Sequence, residues 1–129
     1  MEKNRLTITI NKPIEEVFYY SLESDNVPKW IKSVREEIPS ERPVKIGTRL
    51  RNIGVEPDAQ WNEYKIVKFT PPHSFTLKQL NGDYFVKYTC KETPEGTDFE
   101  YLEWSESGLD GRLEMSTLEK LKELIESGK

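Results

Sequence analysis

Few side chains in this sequence have the types and spacing to do chemistry. It holds one histidine, His73, and one cysteine, Cys90. His73 follows Pro71-Pro72 in a turn and has no Cys or His at metal-ligand spacing, so neither a zinc site nor a histidine-based triad is expected around it. Cys90 reads as a small buried apolar group. There is no Gly-rich phosphate loop, and no metal or cofactor is expected. What remains is Gln79 and Glu103, two polar residues on strands otherwise rich in aromatics. A carboxyl group facing an apolar cavity is costly unless it is paired or hydrogen-bonded. Held there, it can act as a general acid or base, and strand phase gives Glu103 the neighbours Tyr88 and Tyr101. The simpler expectation is that Glu103 lies near its strand end and reaches water, because charged residues are rarely fully buried. The acidic pairs Glu15-Glu16 and Glu36-Glu37 read as solvated faces.

The elements that must position these residues follow from periodicity. Leu6 to Ile10 alternates strictly and reads as a half-buried strand. Pro13 then sits at a favourable first helical position, with Glu15 and Glu16 near the positive end and Ile14, Val17, Phe18 and Leu22 on one face. Ser24-Asp25-Asn26 breaks this helix and caps a second short one, whose apolar spacing is Val27, Trp30, Ile31 and Val34. Strands are expected from Thr48 to Ile53 and from about Ala59 to Phe69, the latter ended by Pro71-Pro72. Ser74 to Leu80 and Tyr84 to Lys91 flank Asn81-Gly82-Asp83, where Asn-Gly suggests a tight turn with positive φ. Thr97 to Ser105 is the next strand. Leu113 to Glu126 reads as a helix with the stripe Leu118, Leu121, Leu124 and Ile125, and Ser116 with Glu119 suggests a capping box. Asp110 is a competing start.

Consecutive strands joined by turns imply an antiparallel meander, and its apolar face needs the terminal helix as a cover. Alternation puts Phe75, Leu77 and Gln79 on one face, with Tyr84, Val86, Tyr88 and Cys90 on the paired strand and Phe99, Tyr101 and Glu103 on the next. Leu102 and Trp104 fit that division poorly. Of Trp61 and Tyr64, which lie in opposite phases, Tyr64 is expected inside with Ile66. Trp30 could gate a cavity mouth, but packing between the short helices is the favoured role.

This order of elements, with several short motifs, resembles the START-like superfamily (SRPBCC), in its polyketide cyclase/dehydrase and lipid-transport branch. Leu6 to Phe18 resembles the family's opening strand followed by its "Pro, two residues, Glu-Val-Phe" helix. Asp25, Pro28 and Trp30 resemble the following "Asp… Pro-x-Trp" helix. Gly47-Thr48, Phe69-Thr70-Pro71-Pro72 and Leu121-Lys122-Glu123-Leu124 fall where the family has a strand start, a strand end and the closing helix. The resemblance implies an α+β helix-grip fold over residues 1–129: a curved antiparallel sheet of six or seven strands wrapped around a C-terminal helix. It also implies an internal cavity for a small hydrophobic ligand, and the inward strand phase, with Trp30 from the short helix, gives Trp30, Tyr64, Leu77, Gln79, Tyr84, Val86, Tyr88, Phe99, Tyr101 and Glu103 as the residues expected to line it. Such domains include carriers and cyclases, so binding or transport of a lipid- or polyketide-like ligand is the leading expectation. A cyclase- or dehydratase-type enzyme and a protein-interaction domain are the rivals. The segment between Trp104 and Leu121 is short for the family, so the cavity is expected to be open at one end, small, or covered by a second subunit; hence a weak tendency to dimerise is expected.

Composition sets the outer limits. Charged residues make up 33% of the chain and the net charge is −4. Lys and Arg form no basic stripe, so a nucleic-acid partner is not expected. No apolar run approaches bilayer-spanning length, so stable membrane insertion is not expected either. One cysteine allows no intrachain disulfide, and the absence of a signal-peptide core points to a cytoplasmic protein.

Overall fold

A computed structural model describes residues 1–129. Strand β1 (Glu2–Ile10) is followed by helix α1 (Ile14–Leu22), a 3₁₀ turn (Ser24–Asn26) and helix α2 (Val27–Trp30). Six strands come next: β2 (Val34–Pro39), β3 (Arg49–Gly54), β4 (Trp61–Thr70), β5 (Ser74–Gln79), β6 (Tyr84–Thr93) and β7 (Gly96–Ser105). Helix α3 (Met115–Glu126) closes the chain. All seven strands form one antiparallel sheet in the order β1-β7-β6-β5-β4-β3-β2. The expected curved sheet around a C-terminal helix is what forms. No helix is long and apolar enough to cross a membrane.

The alternation read from sequence sorts most of the inner face, with Gln79 and Tyr84 only half-buried. Phe75, Leu77, Val86, Tyr88, Cys90, Phe99, Tyr101 and Glu103 are all buried. The stripe Leu118, Leu121, Leu124 and Ile125 joins all of them but Glu103 in one apolar cluster with Val17, Phe18 and Trp30. Phe85 and Trp104, in the opposite phase, stack flat on each other on the outer face, with ring centroids 5.0 Å apart. That pairing accounts for the aromatic that fits the inner phase poorly. Cross-strand aromatic pairs of this kind stabilise a sheet locally.

Several local expectations are corrected. Val34 begins strand β2 rather than ending the second helix, which stops at Trp30. The whole of β2 was missed because a register shift between Val34 and Glu36 disrupts its period of two. Pro13 is the residue before helix α1, not its first helical residue. No Ser116–Glu119 capping box forms: Glu114 precedes α3 and no side chain caps it. Between β5 and β6, neither Asn81 nor Gly82 takes a positive φ, so the tight Asn-Gly turn is replaced by a longer connection. Positive φ instead occurs at Gly96 (143°), where an added Cβ would meet the Ile10 carbonyl oxygen at 2.3 Å.

Candidate functional site

A cavity of about 450 Å³ lies against the inner face of the sheet and is open to solvent on one side. Its apolar wall comes from Val27 at the start of α2, Ile31 just after it, Val34 at the start of β2, Leu77 on β5, Val86 on β6 and Leu113 before α3. Four tyrosines line it as well: Tyr64 on β4, Tyr84 and Tyr88 on β6, and Tyr101 on β7. Six of the ten residues expected at a ligand site are therefore brought together here: Tyr64, Leu77, Tyr84, Val86, Tyr88 and Tyr101.

The other four lie elsewhere. Trp30 is 1% exposed and packs edge-on against Tyr88 and Phe99, with centroids 5.8 and 6.2 Å away. Phe99 is fully buried in the same cluster. Both are filled core, as expected where large rings meet. Gln79 is half-buried in a separate shallow depression with Asp83 and Ser105. Glu103 does not reach water: it is 3% exposed, and its side chain is fully committed. The Tyr84 hydroxyl donates to Oε1 at 2.6 Å. The Asn4 amide and the Leu113 backbone N–H each donate to Oε2 at 2.8 Å. Asn4 also donates to the Leu113 carbonyl at 2.9 Å. Glu103 thus ties β7 to β1, to β6 and to the segment entering α3. That segment is held further by Asp83, which accepts from the Ser107 N–H at 2.8 Å, and by an Arg112–Glu2 ion pair.

The polar side of the cavity was not visible in the sequence. Glu37, taken as solvated, is 9% exposed and lines the cavity. Glu37 pairs across the ladder with Asn52, and Asn52 pairs with Asn62. All three line the cavity, so a polar row crosses β2, β3 and β4. Burial pushes the Glu37 carboxyl up from its ordinary value of 4.5 to about 7; the Ser24 hydroxyl and the Asn52 amide oppose the rise, and the Glu23 charge adds to it. Its one hydrogen bond is long, 3.5 Å from the Asn52 amide. The Ser24 hydroxyl beside it makes no well-formed bond. The missing signal was a long-range one, the strand register that turns one member of an acidic pair inward.

Burial, then the charges of Glu37 and Glu103, push Tyr64 up to about 12. Burial is also the main cause holding Tyr84, Tyr88 and Tyr101 above the ordinary tyrosine value. The cavity tyrosines are therefore neutral hydroxyls near pH 7, able to donate but unable to serve as bases. Burial likewise raises Cys90 to about 12, which leaves it an inert thiol. No three His, Cys, Asp or Glu side chains converge as metal ligands would.

Comparison with known proteins places this geometry. The family model described as "Polyketide cyclase / dehydrase and lipid transport" matches residues 1–126. The chain belongs to that family. Solved structures with the same fold include protein NE0264 from Nitrosomonas europaea, 14% identical, with a TM-score of 0.77 over 98% of this chain and 95% of that one. Another is DR_A0006 from Deinococcus radiodurans, 16% identical, with a TM-score of 0.76 over 100% of both chains. A third is the di-domain ARO/CYC StfQ from the steffimycin biosynthetic pathway, 16% identical, with a TM-score of 0.72 over 98% of this chain and 51% of that one. No match was found among curated proteins. Membership of the polyketide cyclase/dehydrase and lipid-transport family agrees with the seven-stranded antiparallel sheet and C-terminal helix that this chain shares with those structures. At such identities the shared feature is the fold, and the contents of the cavity are this chain's own.

Proposed function

We propose that this protein binds or carries a small hydrophobic molecule in the cavity between α2, the inner face of the sheet and the segment before α3. The observation that supports this most is the cavity itself. Its volume of about 450 Å³ falls within the range of roughly 300–1,000 Å³ common for small-molecule sites. Its wall is aliphatic and tyrosine-rich with a polar row along one side, a composition that orients a ligand while apolar burial supplies affinity at about 25 cal/mol per Å². The family's description, with its lipid transport and its polyketide chemistry, is consistent with an apolar ligand.

The rival enzyme reading, with Glu103 and a cavity tyrosine as acid and base, has less support. Glu103 is not on the lining, and both its oxygens are taken by donors within the protein. The neutral tyrosines offer it no basic partner.

Val86 tests the proposal because it sits on the cavity wall, 6% exposed, on the interior strand β6. Val86→Trp should fill the cavity and weaken binding of 2-naphthalenemethanol at least tenfold by titration calorimetry, about 1.4 kcal/mol. Circular dichroism establishes that the variant is folded, and Leu77→Trp serves as a second obstruction. Unchanged affinity in both folded variants would move the site elsewhere. If the wild type binds no apolar probe at all, the interaction-domain reading takes over.

A further inference from the structure

The two buried acids of the inner face differ in one respect that bears on ligand chemistry. Glu103 has three good donors and nothing left to offer. Glu37 is nearly as buried, at 9% exposure against 3%, but it has only a long hydrogen bond from the Asn52 amide and the Ser24 hydroxyl beside it, and a carboxylate has room for about four. A buried acceptor left short of donors is costly, so it is poised to take them from whatever enters the cavity.

The surroundings narrow the choice of donor. Glu37 is the one acid lining the cavity, and Arg112 is the one base. Arg112 sits at the rim, 47% exposed by its side chain, with its guanidinium committed to Glu2 and to the Lys3 carbonyl. No positive charge therefore faces Glu37 from inside the cavity. Asn52 and Asn62 continue the polar row, and each carries an amide oxygen able to accept. Around the row stand four tyrosine rings, with Tyr64 and Tyr84 at 6.4 Å and Tyr88 and Tyr101 at 5.4 Å between centroids. Tyr64 and Tyr88 are near enough to feel the Glu37 charge. One uncompensated acid, amide acceptors and aromatic faces form a set suited to an organic cation.

We propose that the cavity selects apolar molecules bearing an amine at one end, held as the ammonium by Glu37 and the Asn52–Asn62 row. This rests on the reading of the cavity as the ligand site. The apolar remainder of the ligand lies along Leu77, Val86 and the tyrosines. A ligand ending in a carboxylate would instead meet Glu37 as a like charge.

The test uses three probes of one skeleton at pH 8: 2-naphthylmethylamine, 2-naphthalenemethanol and 2-naphthoate, titrated into the full chain by calorimetry. The wild type should bind the amine at least tenfold more tightly than the alcohol, and the carboxylate most weakly. Glu37→Gln should remove that preference, weakening the amine about tenfold and the alcohol less than about threefold; a purely structural role would weaken both alike. Asn62→Ala should lessen the preference in part. If alcohol and amine bind equally in the wild type and Val86→Trp still blocks both, the cavity stands as the site and the amine inference falls. If the carboxylate binds best, it falls likewise. If none of the three binds, the reading of the cavity fails, and this inference with it.

Discussion

Glu103→Ala is expected to destabilise the protein by about 3 kcal/mol or more, because it strands three donors at once at roughly 1–3 kcal/mol for each buried group left unpartnered. The donors are the Tyr84 hydroxyl, the Asn4 amide and the Leu113 N–H. They come from β6, from β1 and from the approach to α3, so the damage should spread beyond one contact. Glu103→Gln keeps the shape and can keep the geometry: its oxygen can accept from Asn4 and Leu113 while its amide donates to the Tyr84 hydroxyl. It should cost less than about 1.5 kcal/mol, the worth of an ordinary hydrogen bond. Denaturant unfolding of the three proteins reads the difference. Equal, small losses for both variants would show that Glu103 does not tie the sheet to the terminal segment.

Glu37 should give the second large effect, and its sign depends on pH. Its folded value of about 7 lies above its ordinary 4.5, so the folded state holds the proton more tightly than the unfolded chain. Stability from this group is complete below pH 4.5, declines as pH rises through 7, and stays lost above it. At about 1.4 kcal/mol for each pH unit between the two values, the loss at pH 8 is about 3 kcal/mol. Glu37→Gln cannot ionise and should lack this loss. It should match the wild type near pH 4 and exceed it by up to about 3 kcal/mol at pH 8. Carboxyls held low and remote from Glu37, such as Asp83 beside Ser105, lose their stabilisation in the opposite direction, towards acid, and do so equally in both proteins. The difference between the two curves therefore isolates Glu37. Parallel curves would place Glu37 in water.

The inner face was legible because strand alternation is a local signal. Phe75, Leu77, Val86, Tyr88 and Tyr101 needed only the period of two, and the stripe of α3 needed only the helical period. The fate of each acid was not local. Glu103 was read as inward by phase and then assigned to water, because its partners Asn4 and Leu113 stand 99 and 10 residues away. Asn4 also lay in a stretch of β1 that was not recognised as strand. Glu37 was lost with β2: the irregularity between Val34 and Glu36 breaks the alternation that would have marked one glutamate as buried and the other as exposed. The polar row of Glu37, Asn52 and Asn62 exists only once three strands are in register, so no single segment could announce it. Trp30 had two readings, a gate at the cavity mouth and a packing anchor, and its burial against Tyr88 and Phe99 agrees with the favoured one, packing.

The central claim is that the cavity holds a small apolar molecule, and native mass spectrometry of freshly purified protein tests it most directly. The wild type should carry a discrete, non-covalent adduct of a few hundred daltons that is lost on denaturation and absent from folded Val86→Trp. Wild-type protein that appears only at its bare mass, and stays so when an excess of the naphthalene probes is added, would contradict the account.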